Sequence, residues 1–592
     1  MTSVSVSNVS VTTKDNKKLL NNISLTFRPG KLTAIIAPTG AGKSTLLNTI
    51  AGRCSLEISG AIALGQKQID PRKNRDRFGY VTASDSLFGT LTPKEAFMFA
   101  LTLGRTSQAA TTTTGPATTT TATTTSATTT TATTTHDETE NKVKWLLDQL
   151  KLSHCANTLI GNASIKGLSS GERKRVAVGL EMLNEPEIFL LDEPTSGLDS
   201  YSAQLLVELL RSLAANNTTV IATIHQPSSK LFNMFDDVIF MQNGKVAYSG
   251  PVQNVSNFFK GVGHECGQDS NPADHAMLLL QTLNEGECDK MRLGEGDKAV
   301  NVSNDKMVAV VEGVAVEESS AKKRAGFSRQ LLELTKRELK NFVRDRDAMK
   351  ARLLVSIFLT VIISLVYWQI GDNTTDAVVN LSHIGAITLV AVNCMFANSQ
   401  LLLLSFPLER PVFIREYSSG LYSSAAYAVS KWLVEWPVLF AQICLQVLIA
   451  YFMMGLRGSF IGLVYSCFLI TVASSSVALL VSAVATDARQ ALEAAPIIFV
   501  PQIYYTGFFL ESVDQMPAVL RWGRYLCSLK YGLNIAIISE FGEFTPGVDA
   551  VYRRFDISTD SEWWYALILV LITLVFRVLA ILALKSRAFW SD

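Results

Sequence analysis

Leu32-Thr33-Ala34-Ile35-Ile36-Ala37-Pro38-Thr39-Gly40-Ala41-Gly42-Lys43-Ser44-Thr45 is an apolar run that breaks into a turn of small residues and ends on Lys-Ser-Thr. Leu32–Ile36 reads as a strand, and Ser44-Thr45-Leu46-Leu47-Asn48-Thr49-Ile50 opens a helix. Strand, small-residue turn and helix in that order are the setting of a phosphate-binding loop. Small residues let successive backbone N–H groups wrap the β- and γ-phosphates of a nucleotide, and the helix N-terminus adds partial positive charge. Lys43 reaches the phosphates and Ser44 offers a hydroxyl to Mg²⁺. The expected phosphate-binding set is Ala37, Pro38, Thr39, Gly40, Ala41, Gly42, Lys43, Ser44 and Thr45. Ala37 stands where the motif usually has its first Gly; it adds only a methyl, so binding is expected to survive.

Further strand-like runs follow at Val81-Thr82, Ile188-Phe189-Leu190-Leu191, Val220–Ile224 and Asp237–Met241, with helical patterns between them at Val143–Leu152 and Tyr201–Ala215. The alternation predicts an α/β sheet. Asp192 ends one of these strands, placed to hold Mg²⁺ directly or through water. Glu193 follows it and is the candidate general base for an attacking water. His225 ends another strand, in Ile224-His225-Gln226-Pro227, and is the candidate γ-phosphate contact.

The chain has 592 residues, enough for several domains, and a formal charge of +1, so bulk charge points neither toward nor away from nucleic acid. Its halves differ. Residues up to about Arg352 are charged and read as soluble, and the start, Met1-Thr2-Ser3-Val4, reads as no basic, apolar leader, so this half is expected to stay in the cytosol. The eight cysteines show no CxxC spacing and the six histidines no metal-ligand pattern, so buried reduced thiols are expected. Only Cys527 is expected to face outside, without a partner in its loop. Ala109–Thr135 is almost pure Thr and Ala with no periodic apolar face. Ordering it would cost roughly 1–2 kcal/mol per residue with nothing to offset it, so it reads as a disordered insertion.

Residues 284–329 read as a linker and Gln330–Arg352 as a basic amphipathic helix. The apolar runs Leu353–Gly371, Ile384–Leu404, Tyr427–Met454, Phe460–Ala485, Ala494–Leu510 and Trp563–Leu584 are each near the roughly 20 residues that span a bilayer. Six spans keep both termini on one side. Lys350 and Arg352, Arg410 and Arg415, and Lys585 and Arg587 flank that side, whereas the loop Asp372–His383 has no Lys or Arg; the termini are therefore expected in the cytosol. Asn373 and Asn380 begin sequons in that outer loop. Glu511–Glu562 reads as a second outer loop. Asn393, Phe396, Asn398, Tyr504, Tyr505 and Phe508 are candidates to line a cavity. Glu435 and Arg577 are ionisable residues within spans, Arg577 late enough to snorkel to the cytosolic surface.

Beyond the phosphate-binding loop, Leu168-Ser169-Ser170-Gly171-Glu172-Arg173-Lys174-Arg175 precedes Leu190-Leu191-Asp192-Glu193-Pro194-Thr195, and Ser196-Gly197-Leu198-Asp199 follows. With these in order the chain resembles the ATP-binding-cassette family. Ser169, Ser170, Gly171 and Glu172 match its signature turn, with Ser170 where Gly is usual. Gly171–Arg175, the run Asn271-Pro272-Ala273-Asp274 and a cassette placed before the spans resemble subfamily G, the white-type half-transporters. Arg415-Glu416 with Tyr422, Pro501 with Gly507-Phe508-Phe509, and Trp522 with Tyr525 and Tyr531 resemble its membrane half.

The resemblance implies an α/β P-loop nucleotide-binding domain with a helical subdomain over residues 1–283, followed over 353–592 by an all-α six-helix transmembrane domain. It implies ATP and Mg²⁺ as cofactors. It also implies sites shared between two chains, with Ser169 and Gly171 of one capping the phosphate held by Lys43 of the other, and hence a homodimer or a heterodimer with another half-transporter. Such a dimer would sit among membrane lipid and export an amphipathic small molecule, lipids and sterols included; the spans argue against nucleic acid as a partner. Three positions depart from the family pattern: Ala83 in Tyr80-Val81-Thr82-Ala83-Ser84-Asp85 stands where a Gln is expected, Val11 where an aromatic often stacks on adenine, and Ser170 in the signature. Ala83 and Val11 support the alternative of a weakly hydrolysing subunit beside a better-equipped partner.

Overall fold

The computed structural model describes the chain apart from residues 1, 85, 105–129, 163–164, 265, 268–270, 283–324, 373–376, 509–516, 518, 543–547, 556, 559–561 and 591–592. The linker 284–324, the Ala109–Thr135 insertion up to residue 129, the sequon at Asn373 and parts of the Glu511–Glu562 loop therefore lie outside the described residues. The chain divides into two compact units. One holds Met1–Gly326 with Arg415–Tyr422 and Phe589–Asp592, the other Phe327–Ile414 with Ser423–Ala588.

The strands of the first unit are β1 (Val4–Thr12), β2 (Lys18–Phe27), β3 (Leu32–Ile36), β4 (Glu57–Leu64), β5 (Lys67–Ile69), β6 (Phe78–Val81), β7 (Ile188–Leu191), β8 (Thr219–Ile224), β9 (Asp237–Gln242) and β10 (Lys245–Pro251). One sheet has the order β2-β1-β4-β5 and the other β10-β9-β3-β8-β7-β6. In the larger sheet β3, β6, β7, β8 and β9 run parallel, and β10 is an antiparallel edge. Every residue of β3, β7, β8 and β9 is buried, as continuous apolar strands covered on both faces require. The helices that matter below are α1 (Lys43–Ile50), α2 (Pro93–Gly104), α3 (Thr130–Gln149), α4 (Ser170–Met182) and α5 (Ser200–Ala215). Val11 is fully buried in β1, packed into the core around β2 and α1.

The second unit is helical: Phe327–Arg344, Arg346–Val366, Ala377–Ser418, Ser424–Met454, Phe460–Val484, Ala488–Tyr504, Ser528–Phe541, Val548–Phe555 and Glu562–Trp590. Among the described residues, five helices are long and apolar enough to cross a membrane: Met349–Val366, Leu381–Ser418, Ser424–Met454, Phe460–Val484 and Glu562–Arg587. Of the stretch read as a further span, Ala494–Leu510, residues 494–504 belong to the 17-residue helix Ala488–Tyr504, which carries Pro496 and Pro501. The amphipathic run divides at Asp345, so Arg346–Arg352 belongs to the first spanning helix.

Within the stretch read as an outer loop, Ser528–Phe541 is a helix with nearly every residue buried. It packs on Phe460–Val484. Ser466 Oγ donates to the Gly532 carbonyl at 2.6 Å, and a Cβ on Gly532 would stand 2.0 Å from Ile470 Cγ1. Cys527, expected to face outside, is 1% exposed and donates to the Gln502 carbonyl at 3.3 Å.

Polar side chains knit the spans together. Arg352 donates to Gln442 Oε1 and Asn398 Oδ1, both at 2.7 Å; Gln442 donates to Ser356 at 3.0 Å; Asn393 donates to Thr360 at 3.0 Å. Asn393 and Asn398, read as cavity-lining candidates, thus serve helix packing. Arg577 does not snorkel. It is 1% exposed, donates from Nε to Ser476 Oγ at 2.9 Å, lies 3.9 Å from Glu435, and its guanidinium sits 5.0 and 5.5 Å from the ring centres of Trp432 and Trp436. A buried guanidinium is tolerable only with such partners.

Gly532→Ala is expected to force the Ile470 side chain and the two helices apart, at about 1–3 kcal/mol for an overpacked core. A thermal-unfolding midpoint lowered by several degrees in detergent checks this; an unchanged midpoint contradicts the packing.

Candidate functional site

Three strands deliver the site to one edge of the larger sheet. Ile36 of β3 pairs with Ile224 of β8, and Leu191 of β7 pairs with Ala222 of β8. The phosphate-binding loop, His225 and Asp192-Glu193 therefore leave neighbouring strands at their carboxyl ends, where open α/β sheets bind ligands. The loop turns through Gly40 (φ 82°) and Gly42 (φ 96°), the latter at the N-terminus of α1. A Cβ at Gly42 would lie 2.8 Å from Leu20 Cδ2 and 3.1 Å from the Leu19 carbonyl, so only glycine fits there.

Asp192 is the centre of the arrangement. Its Oδ1 accepts from Ser44 Oγ at 3.1 Å and from Thr223 Oγ1 at 2.6 Å. Thr223 Oγ1 in turn accepts from the Glu193 N–H at 2.8 Å. Glu193 is held at φ 44° and Gln226, just after His225, at φ 45°, a region costly for residues other than glycine and typical of functional sites. The Lys43 Nζ donates to the Ala37 and Pro38 carbonyls at 2.7 and 3.3 Å. Burial pushes its ammonium below the usual range, against the opposing pull of Glu193 and Asp192. His225 is exposed, with Nε2 3.5 Å from Thr39 Oγ1. The residues read from the sequence as Ala37–Thr45, Asp192, Glu193 and His225 are thus brought together.

The signature turn is shaped separately. Ser169 caps α4, and Glu172 closes a capping box by accepting from Ser169 N at 2.9 Å and Ser169 Oγ at 2.7 Å. Ser170 Oγ donates to the Gly197 carbonyl at 3.3 Å. Gly171 lies so close to α5 that a Cβ would stand 2.8 Å from Ser202. Burial would raise the Glu172 carboxyl, but hydrogen bonds from Ser169 and His154 outweigh it and hold the group at about 2. Among the described residues, no hydrogen bond joins Ser169–Glu172 to the phosphate-binding loop.

Three contributors escaped the sequence reading. Thr223 bridges Asp192 and Glu193; a polar residue inside a wholly buried strand was its one signal. Lys174, 2% exposed, donates to the Thr82 and Ala83 carbonyls at 3.2 and 2.8 Å, so the segment carrying Ala83 is fixed through its backbone. Tyr80 donates to Asn48 Oδ1 at 2.6 Å under the Arg53 guanidinium, 4.5 Å from its ring centre. Behind them Glu181 is fully buried. Burial raises its carboxyl, opposed by Arg415 and Arg53, and Ser419 donates to it, so Arg415–Tyr422 belongs to the same packed unit. Tyr422 closes this group by donating to Glu416 at 2.7 Å.

A family model described as ABC transporter matches residues 20–196, and models described as ABC-2 type transporter match residues 329–541 and 225–296. Protein white of Ceratitis capitata is 30% identical over 605 residues, covering 97% of this chain and 85% of that one. The ABC transporter ATP-binding protein/permease wht-1 of Caenorhabditis elegans is 30% identical over 560 residues, covering 89% and 78%. The broad substrate specificity ATP-binding cassette transporter ABCG2 of Mus musculus is 28% identical over 589 residues, covering 92% and 85%.

A P-loop sheet, a signature turn and a set of membrane-length helices together define an ATP-binding-cassette ATPase joined to a multi-pass membrane domain. The chain belongs to the ABC transporters, with the cassette-first order of subfamily G, and its ATPase is coupled to transport across a membrane.

Thr223→Val keeps the shape of β8 but removes both hydrogen bonds that link Asp192 and Glu193. ATP turnover is expected to fall about tenfold, equivalent to roughly 1.4 kcal/mol in the barrier. Steady-state hydrolysis by the purified variant checks this; wild-type turnover would show that the bridge is dispensable.

Proposed function

We propose that the chain is a half-transporter that works as a homodimer, or as a heterodimer with another half-transporter, and exports lipids, sterols or other amphipathic small molecules. The observation that carries the dimer is the separation described above. One chain has one phosphate-binding loop and one signature turn, and the two share no hydrogen bond. Two chains facing each other would place Ser169 and Gly171 of one over the phosphates held by Lys43 of the other. The broad substrate specificity named for the mouse relative, carried to this chain, supports more than one kind of substrate rather than a single molecule.

In this reading the backbone of Ala37–Thr45 cradles the phosphates, and Lys43 swings from the Ala37 and Pro38 carbonyls to meet them. Ser44 Oγ and Asp192 Oδ1, 3.1 Å apart, are an oxygen pair suited to Mg²⁺, and these two residues would hold it. When bound, the ion neutralises charge on the transferring phosphoryl group. Glu193, fixed through Thr223, takes the proton of the attacking water, and His225 contacts the γ-phosphate.

ATP binding at both shared sites would clamp the cassettes, and hydrolysis would release them. Moving a two-state membrane domain from 1:99 to 99:1 takes roughly 5.5 kcal/mol of differential binding, within reach of two nucleotides. Lys and Arg at Lys350, Arg410, Arg415 and Lys585 support cytosolic termini.

Glu193→Gln is expected to lower hydrolysis by at least about a hundredfold, close to 2.7 kcal/mol, while ATP binding persists. Undiminished hydrolysis by that variant removes Glu193 as the base. For the substrate class, the purified chain reconstituted in vesicles is expected to raise its ATPase rate on addition of sterols or lipid-like amphiphiles. A rate that responds to none of them, from a protein that still hydrolyses ATP, overturns the amphiphile reading.

A further inference from the structure

Two side chains beside the signature turn converge on one within it. His154 and Cys155 lie on the 3-10 turn Ser153–Cys155, and Glu172 lies in the first turn of α4. Their ligand atoms, an imidazole nitrogen, a thiol sulfur and a carboxylate oxygen, all fall within 4.8 Å of one another, the one such group among the described residues. Glu172 divides its oxygens. Oε2 accepts from Ser169 N and Oγ, while Oε1 faces His154 Nε2 at 2.8 Å. Oε1 thus lies on the side where the thiol and imidazole converge.

The donor types decide the class of ligand. A nitrogen, a sulfur and an oxygen together suit a borderline-soft ion, whereas Mg²⁺ and Ca²⁺ take oxygen sets. Tetrahedral Zn²⁺ with bonds of about 2.0–2.3 Å separates neighbouring ligand atoms by about 3.3–3.7 Å. The present spacings, from 2.8 to 4.8 Å, bracket that range. The adjustment falls on His154, whose side chain is 66% exposed. Cys155, 6% exposed, is fixed behind it.

We propose that His154, Cys155 and Glu172 bind a divalent cation of the Zn²⁺ class, with three protein ligands and a fourth position open to water. The site has a consequence for turnover, which rests on the role proposed above for Ser169. A cation on Oε1 withdraws charge from the carboxylate, so Oε2 becomes a poorer acceptor for Ser169 and the signature turn loosens. Metal binding is expected to lower ATP hydrolysis.

The test uses the full-length protein, purified and stripped of metal with a chelator, then equilibrated with Zn²⁺ alone or Co²⁺ alone, without nucleotide. The wild type is expected to retain one metal per chain, and with Co²⁺ to show the near-ultraviolet band of thiolate-to-cobalt charge transfer. Cys155→Ser should lose that band. His154→Gln, at an exposed position that folding tolerates, should weaken binding by at least the roughly tenfold that even an outer-shell loss costs. Failure of the wild type to bind Zn²⁺ at micromolar concentration, or binding and a cobalt band unchanged in both variants, overturns the site. Metal bound at the site with hydrolysis unaffected overturns the regulatory half. Because binding is read without ATP, the site stands or falls separately from the transport reading.

Discussion

One carboxylate oxygen, Asp192 Oδ1, ties the catalytic edge together. It receives a hydroxyl from α1 through Ser44 and another from β8 through Thr223, so three elements distant in sequence are fixed at one point. Strand pairing alone does not fix side chains at this precision. The parallel sheet sets the β3, β7 and β8 ends side by side, and the Asp192 bonds then set which atoms face each other. The positive φ of Glu193 is sustained by the same arrangement, because Thr223 Oγ1 holds the Glu193 N–H in place. The cost of that backbone conformation is offset by a buried hydrogen bond that exists only in it.

A similar logic governs the membrane unit, with a different solvent. Apolar side chains gain little from leaving lipid for a helix interface, so close packing and polar contacts must specify the arrangement. Gly532 against Ile470, and the Arg352–Gln442–Asn398 group, are such specifiers. Arg577 belongs with them. Its charge is accommodated by a hydroxyl, a carboxylate and two indole faces, all supplied by other helices.

These cases show which parts of the structure are legible in sequence. The phosphate-binding loop is legible because its pattern is local: the strand, the turn and the helix are consecutive. Asp192, Glu193 and His225 are legible because each ends a strand of recognisable pattern. Thr223 is not, because its task depends on β7 and β8 being neighbours, a fact of topology. Lys174 sits in the charged run Glu-Arg-Lys-Arg, whose composition does not reveal that it is buried against two carbonyls of another segment. Ser528–Phe541 hides for the opposite reason. A helix buried all round has no polar face, so the periodicity that reveals other helices is missing. Arg577 is misjudged for the same reason as Thr223: depth in a span is readable, but partners on other helices are not.

In the signature turn one carboxylate serves two neighbours at once. Glu172 is held ionised by Ser169 and His154, and that ionisation is what lets it accept both the backbone and the hydroxyl of Ser169. A neutral or metal-drained carboxylate would leave Ser169 with a weaker anchor. The turn would keep its helix but lose its definition at Ser169. Ser170 and Gly171 carry the remaining restraint, one by its bond to Gly197 and the other by contact with Ser202. The geometry of the turn therefore depends on the Ser196–Asp199 loop and on the His154 side together. Whatever acts on either side, a second chain at the loop or a cation at the histidine, acts on the same few atoms of Ser169–Glu172.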